Sequence, residues 1–293
     1  MMNLFQAATI QSLLMVPLCL GLYLSYRVLN ITDLTVEGSF VLGAAVFARL
    51  ISLGFNQHAS VFVGVIAGCV CGLCVALMQR ITKLESLIVS ILALFMLFSI
   101  NYAVMGRPNI SLLDFPLLLQ TLQLNNPPML LMSMMGIAAV CCMGLLYFIG
   151  TDTGLLMRAY GANPDVIRVI NKNPNVIVML GMSFSNGLAA LSGIMTAEVN
   201  GYADVNMGFG VALTAIGAII VGMTIMQQCH RRVDSYYAMI DILGCLTGTF
   251  LYFLVLNSLL LVNINPIYLK FFLGLLLLFF LSSGHYAMKR RQV

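Results

Sequence analysis

The chain has 293 residues, of which 61% are hydrophobic and only 8% charged, and its formal net charge at pH 7 is +4. Soluble domains carry about 25% charged residues, so this composition excludes a soluble globular protein and predicts a membrane protein. The net charge requires no nucleic-acid partner to explain it.

Apolar runs of about 20 residues recur along the whole chain, and a helix of that length crosses ~30 Å of hydrocarbon. Only helices and closed barrels satisfy the backbone within lipid, and the alternating pattern of strands is absent. The sequence therefore predicts an all-α polytopic membrane bundle, with residues 1–293 as one transmembrane domain of about nine spans, within one. The runs cover roughly residues 8–28, 34–53, 60–78, 85–106, 129–149, 176–199, 208–226, 235–260 and 264–287.

The second predicted span opens with two acidic residues, Asp33 and Glu37. An ionisable side chain within lipid is costly and marks a functional candidate, so Glu37 is predicted to line a translocation pathway. The structural alternative carries equal weight, because acids near a helix N-terminus stabilise the helix dipole. Ser39 and Gly43, which follow, are small residues four apart and are predicted to pack against another helix.

Residues 150–175 interrupt the apolar pattern with a polar segment that contains two Asn-Pro steps, at 163–164 and 173–174. Asn163 is a good N-cap, Pro164 suits the first helical turn, and Asp165 would face the positive end of the helix dipole. The second Asn-Pro step disfavours continuation of this helix and starts the next span. The segment is therefore predicted to be a loop that holds a helix of about two turns.

The apolar residues of this short helix fall at the spacing of one helix face. Two turns are unstable alone in water, so another surface must cover that face. One interpretation is a turn resting on the membrane or on the protein's own helix ends; we favour a docking element for a cytoplasmic protein. Its predicted residues are Asn163, Pro164, Asp165, Val166, Ile167, Arg168, Val169, Ile170 and Lys172.

The span at 176–199 carries small residues at intervals of four, which allow close helix packing in lipid. It also holds Glu198, a second pathway candidate, whose alternative is an interfacial position beside the turn-rich "NGYADVN". Asp241, in the span 235–260, is the third candidate, and polar neighbours such as Tyr237 are its alternative partners. The predicted packing residues of 176–199 are Gly187, Ala189, Gly193 and Ala197.

The basic residues predict the orientation. With a cytoplasmic C-terminus and nine alternating spans, all but three of the 14 Lys and Arg residues lie inside, the exceptions being Arg49, Arg107 and Lys270. Cytoplasmic loops carry an excess of Lys and Arg, so residues 150–175 are predicted to be cytoplasmic.

Three separate motifs together resemble one family. "TGLLMRAYGANPDVIRVINKNPNVIVMLGMSFSNGLAALSGIM" (153–195) and "MGFGVALTAIGAIIVG" (207–222) are similar to the permease subunits of ABC importers for branched-chain amino acids and ribose. "DLTVEGSFVLGAAV" (33–46) resembles the subgroup associated with tryptophan and other amino acids. The resemblance implies a type II-like ABC importer transmembrane domain, with the coupling helix for the ATPase at Asn163–Lys172.

An importer of this kind requires partners. None of the four lysines lies in the Gly-Lys-Ser/Thr pattern of a phosphate-binding loop, so ATP and magnesium are expected on a separate ATPase subunit and no cofactor is expected in this chain. The resemblance also implies a second permease copy or a related permease, an extracytoplasmic substrate-binding protein, and the bacterial inner membrane. The expected substrate is a small polar solute, foremost an amino acid, aromatic ones included.

Two other classes of protein compete with this hypothesis. An ion-coupled secondary transporter would use Glu37, Glu198 and Asp241 as relays, but it would commonly carry clear repeats, and only a faint echo links "EGSFVLGAAV" to "GFGVALTAIG". A membrane enzyme would need a cluster of catalytic groups. His58, His230 and His285 are far apart, and the eight cysteines lie in or beside spans as small hydrophobes, so no catalytic or metal site is predicted.

Overall fold

The computed structural model describes residues 4–229 and 237–262, together with residues 271, 274 and 275. Most of this part of the chain is helical, and α1 continues directly into a π-helical segment, Tyr23–Val28. In chain order the elements are α1 (Leu4–Leu22), α2 (Thr35–Ser52), α3 (Gln57–Thr82), α4 (Ser86–Met105), β1 (Asn109–Ser111), α5 (Leu118–Asn125), α6 (Pro127–Gly150), α7 (Asp152–Ala162), α8 (Pro164–Val169), α9 (Pro174–Asn200), β2 (Tyr202–Asp204), α10 (Val211–Cys229) and α11 (Tyr237–Leu261).

The helices confirm the predicted all-α membrane bundle. Among the described residues, seven are long and apolar enough to cross a membrane, and the apolar part of α10, Val211–Met226, is shorter. The last predicted span, 264–287, lies outside the described residues except for three positions. The predicted total of about nine membrane spans is thus roughly consistent with the structure. The seven are Leu4–Val28, Thr35–Ser52, Gln57–Thr82, Ser86–Met105, Pro127–Gly150, Pro174–Asn200 and Ala238–Leu261.

A short antiparallel ribbon was not predicted. β1 pairs with β2 through Asn109↔Asp204, Ile110↔Ala203 and Ser111↔Tyr202, which ties two loops that are far apart in sequence. Each strand has three residues, too few to show the alternation by which strands are recognised. Ile110 and Ala203 are fully buried, so the ribbon is anchored by its central pair.

The described residues form two compact units, and their boundaries fall inside α1 and α10. The larger unit, Pro17–Leu213, is built around α2, α3 and α9. The smaller unit consists of the described residues within 1–16 and 214–293. Within it the Asn257 side chain donates to Gln11 Oε1 at 2.8 Å, and Gly222 lies against the backbone of Gly244 and Gly248.

The centre of the larger unit is a close contact between α2 and α9. A Cβ atom at Gly193 would overlap the Phe40 carbonyl oxygen, and one at Gly43 would overlap the Ala190 carbonyl oxygen. Small residues let helix backbones approach this closely where no hydrophobic force drives helices together in lipid. Three further small residues of the predicted packing set, Ser39, Ala189 and Ala197, are fully buried, and Gly187 lies against Cys69 on α3.

Candidate functional site

The polar segment between α6 and α9 folds as two successive short helices, α7 and α8. α7 was not predicted, because its residues, "DTGLLMRAYGA", are too polar for a span and too few for a clear helical period. Thr151 caps it by accepting from the Gly154 N–H at 3.4 Å. Burial raises the pKa of Tyr160 on α7, against the opposing positive charge of Arg168.

The two Asn-Pro steps start helices as predicted. The Asn163 side chain accepts from the Asp165 N–H at 3.0 Å at the start of α8. Asn173 accepts from the Asn175 N–H at 3.0 Å at the start of α9. Between them Asn171 adopts a left-handed conformation with φ of 57°, which Asn tolerates and which ends helices. The Asn171 N–H donates to the Arg168 carbonyl at 3.0 Å, so both ends of the six-residue helix are fixed by local hydrogen bonds.

The apolar residues of α8 do not form the single covered face that the sequence suggested. Ile167 is fully buried, whereas Val166, Val169 and Ile170 are 41%, 85% and 47% exposed. The exposed three occupy positions i, i+3 and i+4, one side of the helix, and Ile167 lies about 100° away from Val166. Ile167 therefore anchors α8, and only the other three present an apolar face outward.

The polar residues of α8 are also on the surface. Arg168 and Asp165 form an ion pair at 3.3 Å with side chains 75% and 77% exposed, a geometry that contributes little to stability. Asn163, Pro164 and Lys172 are exposed as well. The predicted docking residues, Ile167 apart, thus lie together at an accessible surface.

A second polar site lies inside the larger unit, where Asp33 and Asn186 meet. Asp33 Oδ2 accepts from Asn186 Nδ2 at 2.8 Å, and its other oxygen accepts from the backbone and the hydroxyl of Thr35. Ser39 donates to Asn186 Oδ1 at 2.7 Å. Buried polar groups are costly without partners, and here each side chain satisfies another.

This cluster shows that α2 begins in the interior of the unit. Asn186 lies about 18 Å from the first residue of α9, counted at 1.5 Å per residue, which is near its midpoint. Ser39 contacts Asn186, and Gly43 contacts Ala190, four residues further along both helices. The two helices thus run in the same direction, and α2 starts halfway along α9.

α10 also begins beside this interior position. The Ala212 N–H, in the first turn of α10, donates to Glu37 Oε1 at 3.1 Å, and Gly208 lies against the Glu37 backbone. A carboxylate at a helix N-terminus is stabilised by the helix dipole. The stretches "EGSFVLGAAV" and "GFGVALTAIG", whose likeness was faint in the sequence, therefore meet at their helix starts.

Glu37 lines a cavity of about 270 Å³ within the larger unit. The cavity is walled by parts of α2 and α4 and by the non-helical chain before α10. Such backbone is tolerated at membrane depth where it lines a cavity. Of the lining residues, Glu37 and Asn101 alone have polar side chains, and three are phenylalanines, Phe95, Phe98 and Phe209.

The other two acids predicted for a pathway lie elsewhere. Glu198, at the end of α9, is 3% exposed, and its Oε1 accepts from Gln57 Nε2 and from the Leu119 N–H, both at 2.7 Å. It thereby holds the first turn of α5. Asp241 lies half-buried on α11, in the smaller unit. Neither of them lines the cavity that holds Glu37, and their place in a pathway stays a prediction.

The sequence did not single out Asn186 or Asn101. Each is a lone amide in an apolar span, and that was the available signal, since buried polar side chains in lipid carry a cost. In the described ranges no three His, Cys, Asp or Glu residues are grouped closely enough to hold a metal ion. The cysteines described there are free thiols.

The structure is typical of a membrane transport protein. It is a helical bundle of several spans in which two helices start in the interior beside a cavity, and a surface loop carries a short capped helix. The chain belongs to the family described as the permease component of branched-chain amino acid transport systems, whose model matches residues 4–281. It is therefore a multi-pass membrane permease of a transport system, and the family resemblance of its motifs is confirmed.

Two relatives match nearly the whole chain. An uncharacterized protein from Rickettsia prowazekii is 47% identical over 284 residues, which cover 96% of this chain and 98% of the relative. A tyrosine transport system permease protein from Clostridioides difficile is 28% identical over 275 residues, which cover 94% of this chain and 89% of the relative. No solved structure matches the chain significantly.

Proposed function

We propose that the chain is the permease subunit of an ATP-driven importer that moves an amino acid with an aromatic side chain into the bacterial cytoplasm. The observation that carries the proposal is the outward face of α8, Val166, Val169 and Ile170, held on a loop between two long apolar helices. Apolar residues exposed on a polar loop mark an interaction site.

This face would receive the force of ATP hydrolysis. The chain carries no phosphate-binding loop, so ATP and Mg²⁺ would be bound by a separate ATPase subunit. A docked helix transmits motion only if it is rigid, and α8 has a capped first turn, a left-handed end and a buried anchor, Ile167. A push on α8 would pass along the same loop to α9, which starts five residues after α8 ends.

The remaining partners follow from the importer hypothesis. ATPase subunits of this type act in pairs, so a second copy of this permease or a related permease would complete the membrane domain. A substrate-binding protein would deliver solute on the outer side, where the ribbon β1–β2 and α5 are expected. The protein would lie in the cytoplasmic membrane with the loop at 150–175 and the C-terminus inside; the latter falls outside the described residues.

The proposed substrate class rests on three likenesses. The family is that of amino acid transport systems, and one relative carries a tyrosine transport name. The motif at 33–46 resembles permeases associated with tryptophan and other amino acids. All three indications share an amino acid as substrate, and the tyrosine permease relative and the motif at 33–46 favour an aromatic one over the branched-chain amino acids of the family description.

The proposal is tested in two stages. First, the chain is purified in mild detergent together with the ATPase that accompanies it, and vesicles containing both proteins and internal ATP are assayed for uptake of labelled tyrosine in the presence of the substrate-binding protein. Uptake should require ATP. Uptake driven by an ion gradient without ATP would indicate an ion-coupled secondary transporter and contradict the proposal.

Second, Val169→Asp should abolish ATPase association, because it places a charge at the most exposed position of the α8 face. The matched control is Leu124→Asp on α5, which is 77% exposed and lies on the other proposed side of the membrane. Full ATPase retention by Val169→Asp, with both variants folded, would show that α8 is not the docking element.

A further inference from the structure

Residues 28–34 link the π-helical end of α1 to α2, and we name them the connecting segment. At one end of this segment Val28 and Leu29 are buried, and at the other end Asp33 belongs to the interior polar cluster and is 1% exposed. Asn30, between them, is exposed. Packing inside the larger unit therefore fixes the segment at both of its ends.

α7 packs directly on the start of the connecting segment. A Cβ atom at Gly161 would overlap the Val28 carbonyl oxygen, so the two backbones are in contact there. A Cβ atom at Gly181 on α9 would overlap the Leu29 side chain and would lie 3.6 Å from Met157 Cε of α7. The start of the segment is thus held between α7 and α9, and a movement of α7 cannot leave it in place.

α7 and α8 are joined by a single residue, Asn163. Its N–H donates to the Ala159 carbonyl at 3.0 Å at the end of α7, and its side chain accepts from the Asp165 N–H at 3.0 Å at the start of α8. A joint of one residue that is bonded on both sides leaves the two helices little freedom to move separately. A force on the outward face of α8 would therefore reach Gly161, two residues before the joint.

The far end of the connecting segment lies where α2 and α10 begin. Asp33 accepts from Asn186 Nδ2 at 2.8 Å and from the Thr35 N–H at 2.9 Å, which ties the segment to the middle of α9 and to the first residue of α2. Glu37, two residues further on, accepts from the Ala212 N–H of α10. A movement of the segment would therefore act on both helix starts in the interior.

The near end of the connecting segment has a second bonding arrangement within reach. The Leu29 N–H donates to the Leu24 carbonyl at 3.0 Å, five residues back, and the Ile31 N–H donates to the Ser25 carbonyl at 2.9 Å, six residues back. Turns of this wide kind are rare and are frequent at functional sites. Exchange of these bonds for α-helical bonds, four residues back, would rotate the chain that follows. A displaced contact at Val28 would bias the balance between the two arrangements.

We infer that the connecting segment relays the power stroke from the α7–α8 pair to the interior, with Gly161 as the positioning residue at which the stroke enters it. The route runs from α8 through Asn163 to Gly161, on to Val28, and along the segment to Asp33 and the start of α2. The inference rests on the proposed function for its source of force. It adds a route that reaches the two interior helix starts without passing through the length of α9.

Amide hydrogen exchange in the assembled transporter tests the relay on the unmodified chain. The permease and its ATPase are placed in lipid nanodiscs, and exchange is compared with and without a nonhydrolysable ATP analogue. Exchange in peptides that cover residues 28–35 should accelerate when the analogue binds, because the amides of Leu29 and Ile31 leave their present carbonyl partners. The control is the permease without ATPase, in which the analogue should change nothing. Unchanged or slower exchange over 28–35 in the complex would overturn the relay.

Gly161→Ala tests the point of entry, because the added Cβ forces α7 away from the Val28 carbonyl. The outward face of α8 is untouched, so ATPase association and ATP hydrolysis should persist, while the amount of tyrosine taken up per ATP hydrolysed should fall at least about fivefold. The response of residues 28–35 to the ATP analogue should be lost with it. A merely structural role of Gly161 would lower association, hydrolysis and uptake together and leave their ratio unchanged, which would contradict the inference.

The matched control is Gly150→Ala in the same loop, where a Cβ atom would meet nothing within 4 Å. It should leave uptake per ATP at the level of the unmodified chain. If Gly161→Ala does not fold, as judged by size-exclusion chromatography in detergent, the exchange experiment on the unmodified chain decides alone.

The uptake assay separates failure of the relay from failure of the proposed function. ATP-dependent uptake that is as efficient per ATP in folded Gly161→Ala as in the unmodified chain would leave the importer intact and refute the relay. Uptake by the unmodified chain that does not depend on ATP would refute the importer and the relay with it.

Discussion

The Ala212 N–H donates a hydrogen bond to Glu37 Oε1 at 3.1 Å, which joins the first turn of α2 to the first turn of α10. Four residues before Glu37, Asp33 is held by Asn186 near the midpoint of α9. Two helix starts therefore lie inside the larger unit. At each of them a carboxylate of the chain, Asp33 at α2 and Glu37 at α10, accepts a hydrogen bond from a backbone N–H. Interrupted helices at mid-membrane are a recurrent means of building transport sites.

Replacing Asn186 by Leu should destabilise the protein by about 2–3 kcal/mol, since Asp33 loses a hydrogen bond in a buried site and Ser39 loses its acceptor. Denaturant unfolding in detergent measures this loss. Ser183→Ala on the same helix is the control, because it removes one hydroxyl bond, to the Cys69 carbonyl at 2.9 Å, and should cost about 1 kcal/mol or less. Equal stability of the two variants would show that the cluster does not hold α2 to α9.

Gly193→Ala should separate α2 from α9 and cost about 1–3 kcal/mol. The added Cβ meets the backbone oxygen of Phe40, which cannot move aside as a side chain can. Gly136→Ala on α6 is the matched change, because its Cβ would meet nothing within 4 Å, and it should be neutral or stabilising by up to about 1 kcal/mol. The thermal unfolding midpoints of the pair should therefore move in opposite directions, and coincident midpoints would contradict the close contact.

The long helices were predictable from the sequence because each apolar run has the length of a membrane span. An apolar run near 20 residues has one structural solution in lipid, and Asn163-Pro164 and Asn173-Pro174 set helix starts by local chemistry alone. Local rules could not show that Ile167 faces inward while Val169 faces outward, because that depends on where α9 lies.

The polar cluster of Asp33 and Asn186 could not be predicted from the sequence, for a different reason. Asp33 and Asn186 are 153 residues apart in the chain, and β1 meets β2 over a separation of more than 90 residues. Periodicity carries no information about such pairs. What the sequence did offer was the rarity of the polar residue: Glu37 was singled out because acids are rare in spans, and the same reasoning applied to amides would have added Asn186 and Asn101.

Asn163→Ala should loosen α8. The N-cap bond to the Asp165 N–H contributes about 1 kcal/mol, which is a large share of the stability of a six-residue helix. Amide hydrogen exchange over residues 164–170 should accelerate, and ATP-dependent uptake should fall with it. Asn163→Asp retains an equally good cap and should preserve both. Unchanged exchange in Asn163→Ala would mean that tertiary contacts of Ile167 suffice to hold the helix.

Glu198→Leu should release α5 from α9. The side chain gives up its bonds to Gln57 and to the Leu119 N–H, both at 2.7 Å, so exchange and proteolysis over residues 117–125 should increase. Glu198→Gln keeps an accepting oxygen at this position and should keep α5 protected. Uptake measured in the same variants separates two roles: loss of uptake in Glu198→Gln, with α5 still protected, would assign the charge itself to transport.

Residues 114 and 168 should lie on opposite sides of the membrane, because α6 is the one helix between them in the described structure that is long enough to cross it. Asp114 is exposed, and the Arg168 side chain is 75% exposed, so a cysteine at either site is open to a thiol reagent. A membrane-impermeant maleimide applied to intact spheroplasts should label Asp114→Cys above the level of the unmodified chain. Arg168→Cys should react when inverted vesicles are used. Labelling of Arg168→Cys from outside would place α8 beyond the reach of any cytoplasmic ATPase, and the energy source of the permease would then have to enter elsewhere.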